Sequence, residues 1–168
     1  MLSLSALRRA PSATRSLPRS TSACSSALPP DPPLLVLYDE DCGYCRWSVA
    51  QLLRLDRDGA LRLIAIQSPL GQQLLADVPQ RQRLESAHLV DREGRLFSGG
   101  AAAAPIAAEL PALSATAPLL RRLSAPVDST YRWIAANRER VGRLVSASRR
   151  ERADAAIAEH QERFAGTG

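Results

Sequence analysis

Two cysteines separated by two residues are the side chains of this sequence most suited to chemistry. Cys42 and Cys45 form a C-x-x-C pair in a chain of 168 residues. On one helical turn this spacing brings two sulfurs close enough to bond, and a helix N-terminus stabilises a cysteine thiolate. We therefore predict thiol–disulfide exchange, in which Cys42 attacks a substrate disulfide and Cys45 then resolves the mixed disulfide.

The side chains around the pair suggest supporting roles. They are Asp39, Asp41, Gly43, Tyr44 and Arg46. The glycine would allow close approach by a partner disulfide, and the tyrosine would form part of an apolar rim. The arginine would add positive potential near the thiolate, whereas the two aspartates would oppose it or accept a proton from Cys45. Trp47 is expected to pack in the core.

The same cysteine spacing is also half of a zinc site. The candidates for further ligands are Cys24, His88 and His160, and none of them is paired at ligand spacing. His88 stands at the start of a predicted strand, where we expect a surface imidazole. A metal or iron–sulfur protein is therefore one alternative, and a non-catalytic partner-binding module built on the helices after Pro111 is another.

The elements that position the pair follow from hydrophobic periodicity. Leu34 to Tyr38 is a continuous apolar run typical of a buried strand, and three acidic residues end it. From Cys45 the apolar side chains fall at helical spacing until Asp58-Gly59. Leu61 to Ile66 then closes a parallel, right-handed β-α-β unit, with the cysteines at its strand-to-helix turn.

The following segments complete a recognisable order of elements. Leu70 to Ala76 is a short helix, residues 88–97 form a β-hairpin, and Ala101 to Leu110 is an Ala-rich helix that Pro111 ends. The order β-α-β-α-β-β-α is the thioredoxin-like arrangement. The predicted fold class is therefore α/β, a three-layer thioredoxin-like fold with added C-terminal helices.

This order also predicts the division of the chain. The thioredoxin-like domain covers residues 34–111, a helical extension packed on it covers 112–147, and a charged, solvated helical tail covers 148–168. Leu113 to Leu123 is expected to be helical and to be broken from the next helix by Pro126. That next helix is predicted to start at Asp128 or Ser129 and to pack Tyr131, Trp133 and Asn137 against the sheet.

Residues 1–33 differ in composition from the remainder. Residues 1–30 contain four arginines and no acidic residue, which is typical of an organelle transit peptide. The prediction is a mitochondrial or chloroplast location, or a cytoplasmic one without such a leader. Most of the net charge of +5 lies in this segment, because 18 basic and 17 acidic residues remain in the body. The near-neutral body argues against nucleic-acid binding, and no run of about 20 apolar residues predicts a membrane span.

Several spaced motifs together resemble a known family. They are Tyr38-Asp39-x-x-Cys42-x-x-Cys45 with Trp47-Ser48-Val49, Ile66-Gln67-Ser68, His88-Leu89-Val90-Asp91 with Gly94, Gly99 or Gly100, and Tyr131-x-Trp133-Ile134-Ala135-x-Asn137-Arg138. Over roughly residues 34–145 the chain is similar to the DCC family of thiol–disulfide oxidoreductases. The resemblance implies a thioredoxin-like fold with Asp39, Cys42 and Cys45 as signature residues.

The chain departs from these patterns at two places. Glu40 stands where family members often have glycine. Thioredoxins place a cis-proline before the third strand, opposite the cysteines, where this chain has Ser86 or Ala87. Ser86 is therefore a candidate substrate-facing residue. The predicted activity is that of a protein-disulfide reductase without a bound cofactor, acting on protein or small-molecule disulfides and reset by glutathione or a thioredoxin system.

Overall fold

A computed structural model describes residues 33–165 of the chain. The predicted leader, including Cys24, lies outside this range except for Pro33, and so do the last three residues. The transit peptide and the location therefore stay predictions. The strands are β1 (Leu34–Tyr38), β2 (Leu61–Ala65), β3 (His88–Val90) and β4 (Leu96–Ser98). The helices are α1 (Gly43–Leu55), α2 (Pro69–Leu74), α3 (Gln80–Arg83), α4 (Ala103–Glu109), α5 (Ala117–Arg122), α6 (Ser124–Ala136), α7 (Arg138–Arg143) and α8 (Ala147–Ala165).

The four strands form one mixed sheet in the order β2-β1-β3-β4. Strand β1 is parallel to β2 with Val36 opposite Leu63, and antiparallel to β3 with Val36 opposite Leu89. Strand β4 continues the hairpin with Phe97 opposite Leu89. This arrangement, a β-α-β unit followed by a hairpin, confirms the predicted α/β class and is compatible with a thioredoxin-like fold. None of the described helices is long and apolar enough to cross a membrane.

The alternation of side chains along β1 divides the core into two layers. Leu34, Val36 and Tyr38 point to one face and join Val49 of α1, whereas Leu37 points to the other face. Side chains of α2 cover that second face. Because β1 is central and covered on both faces, it is nearly continuously apolar. Its carboxyl end is thereby fixed next to the start of α1.

Two glycines let α6 approach the end of the hairpin. Gly99 has a φ of +61°, a conformation that side chains rarely adopt, and a Cβ there would press on the Tyr131 ring. At Gly100 a Cβ would overlap the Cα of Asp128. The Gly99-Gly100 pair therefore sets how closely α6 packs against the turn after β4.

The last helix differs from the predicted solvated tail. Ala153 and Ile157 of α8 are buried and belong to the same core cluster as β1 and α1. His160 is also buried, with its ring 4.9 Å from that of Phe164. This helix has a short apolar face that packs against α1. That face could not be recognised in the sequence among the many charged residues of the helix. Residues 147–165 thus contribute to the core, while the division of the chain at residues 111 and 147 stays a prediction.

Three further expectations are corrected by the extension. Helix α6 begins at Ser124, not at Asp128 or Ser129, because Pro126 sits in the first turn, where its missing N–H costs no helical bond. Trp133 is 63% exposed and does not pack against the sheet. Asn137 was also expected to pack against the sheet, but its Nδ2 donates to the Trp133 carbonyl at 2.8 Å, where α6 ends.

His88 is buried rather than on the surface. Its exposed fraction is 2%. The His88 Nδ1 shares a hydrogen bond with Ser98 Oγ at 2.8 Å, and Nε2 donates to the Arg83 carbonyl at 3.0 Å. Burial lowers the pKa of His88, despite the opposing effect of the Arg83 carbonyl. The ring therefore ties α3 to the hairpin as a neutral side chain.

The close approach at Gly100 predicts a large cost for Gly100→Ala. Since a Cβ would overlap Asp128, we expect a loss of about 1–3 kcal/mol in the free energy of unfolding. Urea unfolding measures it. Ala101→Ser, at the exposed neighbouring position, serves as control and should change stability by less than about 0.5 kcal/mol. Equal stabilities of the two variants would show that α6 does not pack there.

The burial of α8 predicts a second stability effect. Ile157→Ala removes a side chain that is 6% exposed, so unfolding should become easier by about 2–5 kcal/mol. The exposed residue Glu162 on the same helix gives the control, and Glu162→Ala should stay within about 0.5 kcal/mol. If α8 were a solvated tail, Ile157→Ala and Glu162→Ala would instead unfold at the same urea concentration.

Candidate active site

Cys42 caps the helix that follows the central strand. It has an extended backbone (φ −89°, ψ 107°) immediately before α1, and its Sγ accepts a hydrogen bond from the Cys45 N–H at 3.2 Å. The sulfur therefore stands at the place where a side chain satisfies the unpaired N–H groups of a helix. There the helix dipole favours a negative charge, as the strand-to-helix position predicted.

Cys45 lies one turn further along α1 and is half-buried. Burial raises the pKa of its thiol, and the hydrogen bond with Cys42, the charge of Cys42 and that of Asp39 raise it further, whereas Arg138 lowers it. Both cysteines are free thiols. Their sulfurs and a carboxylate oxygen of Asp39 all lie within 4.8 Å of one another. The pair is therefore close enough to be joined by small side-chain movements.

Asp39 is a buried carboxylate at the end of β1. Its Oδ1 accepts from the Asp41 N–H at 3.1 Å and from Gln67 Nε2 at 2.7 Å. Its Oδ2 lies 3.5 Å from Arg138 Nη1. Gln67, the second residue after β2, also accepts a hydrogen bond from the Glu40 N–H at 3.3 Å through Oε1. These donors compensate the loss of water around the charge.

The two sulfurs face different spaces. Cys42 borders an open groove of about 490 Å³, to which the first turn of α1 and charged residues of α7 and α8 contribute, including Arg143 and Arg150. Cys45 borders a small cavity of about 50 Å³ shared with Ser86 and Ala87. Cys42 therefore borders the wide groove, whereas Cys45 borders the smaller cavity.

The segment opposite the cysteines is held by α6. The Tyr131 hydroxyl accepts from the Ala87 N–H at 2.6 Å. Ser86 and Ala87 lie where the sequence comparison with thioredoxins placed them, beside the cavity of Cys45. No cis peptide bond occurs within residues 33–165. The substrate-facing role of Ser86 stays a prediction.

The remaining predicted residues lie around the groove. Asp41 is exposed and accepts from Gln67 Nε2 at 3.2 Å. A Cβ at Gly43 would lie 3.6 Å from the Arg150 Cδ, an ordinary van der Waals contact. Packing alone therefore does not demand glycine at this position. Tyr44 lines the groove and stacks at 5.8 Å on Trp47, which packs against the core as expected.

Arg46 forms an ion pair with α8, a contact that was not predicted. Its Nε lies 3.2 Å from Asp154 Oδ1 on α8. Its charge is thus shared with an acidic side chain, and both partners are more than a third exposed. The main contact of Arg46 is with α8 rather than with the Cys42 sulfur.

The donor set for a metal is incomplete in this part of the chain. Among the described residues, the group of potential ligands is Asp39, Cys42 and Cys45. His88 uses both ring nitrogens in hydrogen bonds. A tetrahedral zinc site needs a fourth donor, and Asp39 is already engaged by an amide and a guanidinium. The arrangement suits dithiol chemistry better.

Three side chains of the site were not predicted as site residues: Gln67, Tyr131 and Arg138. Each lies in one of the motifs that carried the family resemblance. The sequence signal that could have indicated them is a polar side chain within an otherwise apolar segment or on a predicted helix. Their partners come from distant parts of the chain, so periodicity could not reveal the contacts.

The comparisons with known proteins agree with this site. Residues 36–144 match the model of the family described as DCC1-like thiol-disulfide oxidoreductase. No curated protein and no solved structure matches the chain. The matched range includes the last three residues of the central strand, both cysteines and the helix that carries Arg138. The chain therefore belongs to the DCC1-like thiol-disulfide oxidoreductase family, which supports a general redox role.

Proposed function

We propose that the protein reduces disulfides through a mixed disulfide on Cys42 that Cys45 resolves. The observation that carries this proposal is the placement of the Cys42 sulfur at the N-terminus of α1. There it accepts the Cys45 N–H, with the Cys45 sulfur and the Asp39 carboxylate within 4.8 Å. This combines a stabilised nucleophile, a second thiol and a nearby proton acceptor.

In the first step the Cys42 thiolate attacks one sulfur of the substrate disulfide. A bond forms between the Cys42 sulfur and that substrate sulfur, and the substrate disulfide breaks. The second substrate sulfur leaves as a thiolate and takes a proton from solvent. The open groove beside Cys42 supports access by an extended peptide or a small disulfide.

In the second step Cys45 attacks the Cys42 sulfur. The Cys42–Cys45 disulfide forms, and the remaining substrate thiolate is released. Two electrons have then passed from the cysteine pair to the substrate. Since the raised pKa keeps Cys45 protonated at neutral pH, its proton needs an acceptor. Asp39 is the carboxylate positioned for that role.

The cycle closes when an external thiol reduces the pair. Two thiol groups of the reductant become a disulfide, and Cys42 and Cys45 regain their protons. Glutathione and a thioredoxin system are the two reductants of suitable chemistry. Protein disulfides and small disulfides are the two proposed substrate classes.

Metal binding is the second candidate, because two thiols and one carboxylate lie together. A bound cation would have to displace the Arg138 guanidinium and Gln67 amide from Asp39. Zinc and iron analysis of anaerobically purified protein separates the two functions. Stoichiometric metal that is lost in Cys42→Ser would favour the metal candidate.

Single serine variants test the order of the two cysteines. Cys42→Ser should abolish acceleration of insulin reduction by dithiothreitol, because it removes the attacking sulfur. Cys45→Ser should also lose turnover, and when it is incubated with insulin without dithiothreitol it should accumulate a mixed disulfide visible by mass spectrometry. Cys24→Ser is the matched control and should keep the wild-type rate. If Cys42→Ser accelerated insulin reduction as much as the wild type does, the proposal would be wrong.

Asp39→Asn tests the proton acceptor in a two-step assay. With dithiobis-nitrobenzoate in a Cys24→Ser background, attack by Cys42 releases one thionitrobenzoate and resolution by Cys45 releases a second. Asparagine cannot accept the proton, so the second release should slow by about a hundredfold, the lower range for general-base catalysis. Removing the negative charge of Asp39 also lowers the pKa of Cys45, which favours the second release. This opposing effect is small, because Asp39 raises that pKa less than burial and Cys42 do.

The control for this variant is Asp58→Asn, at an exposed turn after α1. Both releases should match the wild type there. An unchanged second release in Asp39→Asn would assign proton removal to another group.

A further inference from the structure

Arg138 connects three parts of the site. It is the first residue of α7, after the turn at which α6 ends. Its Nη1 donates to the Leu84 carbonyl oxygen at 2.6 Å and lies 3.5 Å from Asp39 Oδ2. One guanidinium thus joins α7, the segment before β3 and the carboxyl end of β1.

The position of Arg138 is partly enclosed. Its side chain is 33% exposed and that of Asp39 is 11% exposed, so this ion pair is less hydrated than the pair of Arg46 and Asp154. Among the described residues, Arg138 is the side chain that borders the groove of Cys42, the cavity of Cys45 and the larger cleft between α6 and the hairpin. Any movement of Arg138 therefore changes the surroundings of both sulfurs.

We propose that Arg138 is the positioning residue of the resolving step, holding the Asp39 carboxylate towards Cys45 and the Leu84–Ala87 segment opposite the pair. This inference rests on the proposed function. Arg138 acts through Asp39, through the loop and through its positive charge near Cys45.

The charges around Cys45 explain why a cation is needed there. The titratable groups that face or border its cavity are Cys42, Asp39, Tyr44, Glu85, Tyr131 and Arg138. Of these, Arg138 alone is positive. When Cys45 loses its proton to attack Cys42, a negative sulfur forms beside a carboxylate, and the guanidinium offsets their repulsion. In keeping with this, Arg138 lowers the pKa of Cys45.

The two-step thionitrobenzoate assay, in the full chain with Cys24→Ser, tests the inference. Arg138→Gln should slow the second release by about tenfold at neutral pH, the effect of a one-unit rise in the pKa of Cys45. The first release should stay within about threefold, since Cys42 keeps its place at the helix start. The rate of the second release should also move to higher pH. Arg138→Lys, which keeps the charge, should recover most of the rate and the pH profile.

A double-mutant cycle separates positioning from general damage. If Arg138 acts through Asp39, Arg138→Gln should have much less effect in an Asp39→Asn background. Arg121→Gln, on the exposed side of α5, is the control and should leave both releases unchanged. Circular dichroism monitors folding. If Arg138→Gln does not fold, the same cycle is measured with Arg138→Met, which also removes the positive charge but keeps a long side chain at this position.

The outcomes are distinct for the two proposals. A second release that is unchanged at every pH, or effects of Arg138 and Asp39 that simply add, would overturn the role of Arg138. A wild-type protein that gives no Cys45-dependent second release would instead overturn the proposed function. A slowed second release with non-additive effects supports the inference.

Discussion

The hydrogen bond between the Cys45 N–H and the Cys42 sulfur is the interaction on which the site depends. It exists because strand β1 leads the chain to the first turn of α1 with four residues between them, of which Cys42 is the last. Strand β1 is paired on both edges and covered on both faces, so its end cannot shift without disturbing the core. The sheet thereby fixes the Cys42 thiol beside the unpaired peptide N–H groups at the start of α1.

The buried carboxylate of Asp39 explains why distant segments belong to one site. A charge in this position needs donors, and they come from the turn at Asp41, from Gln67 after β2 and from Arg138 of α7. The helices beyond the thioredoxin-like order are therefore part of the redox site. Helix α6 holds Ala87 through Tyr131, and α8 packs on α1. The partner-binding alternative did not anticipate these contacts.

The local parts of this account could be predicted from the sequence. The apolar run of β1, the helical spacing after Cys45 and the turn residues of the hairpin predicted the fold, because each depends on neighbours in the chain. The roles of Gln67 and Arg138 depend on contacts across 28 and 54 positions, which periodicity does not contain. His88 and the apolar face of α8 were misjudged for a related reason. Their polar or charged character was visible, whereas the partners that bury them were not.

The central claim is that Cys42 and Cys45 form a reversible disulfide within one chain. Mass spectrometry of protein equilibrated in glutathione buffers of graded composition, after alkylation of free thiols, measures this directly. The account predicts two populations. One is the dithiol, alkylated at both positions, and the other is a Cys42–Cys45 crosslinked form that carries no alkyl group at these positions and is two hydrogens lighter than the unalkylated dithiol. Their ratio should follow the buffer in both directions. Protein that stays fully alkylated across the series, or that only carries glutathione on separate cysteines, would contradict it.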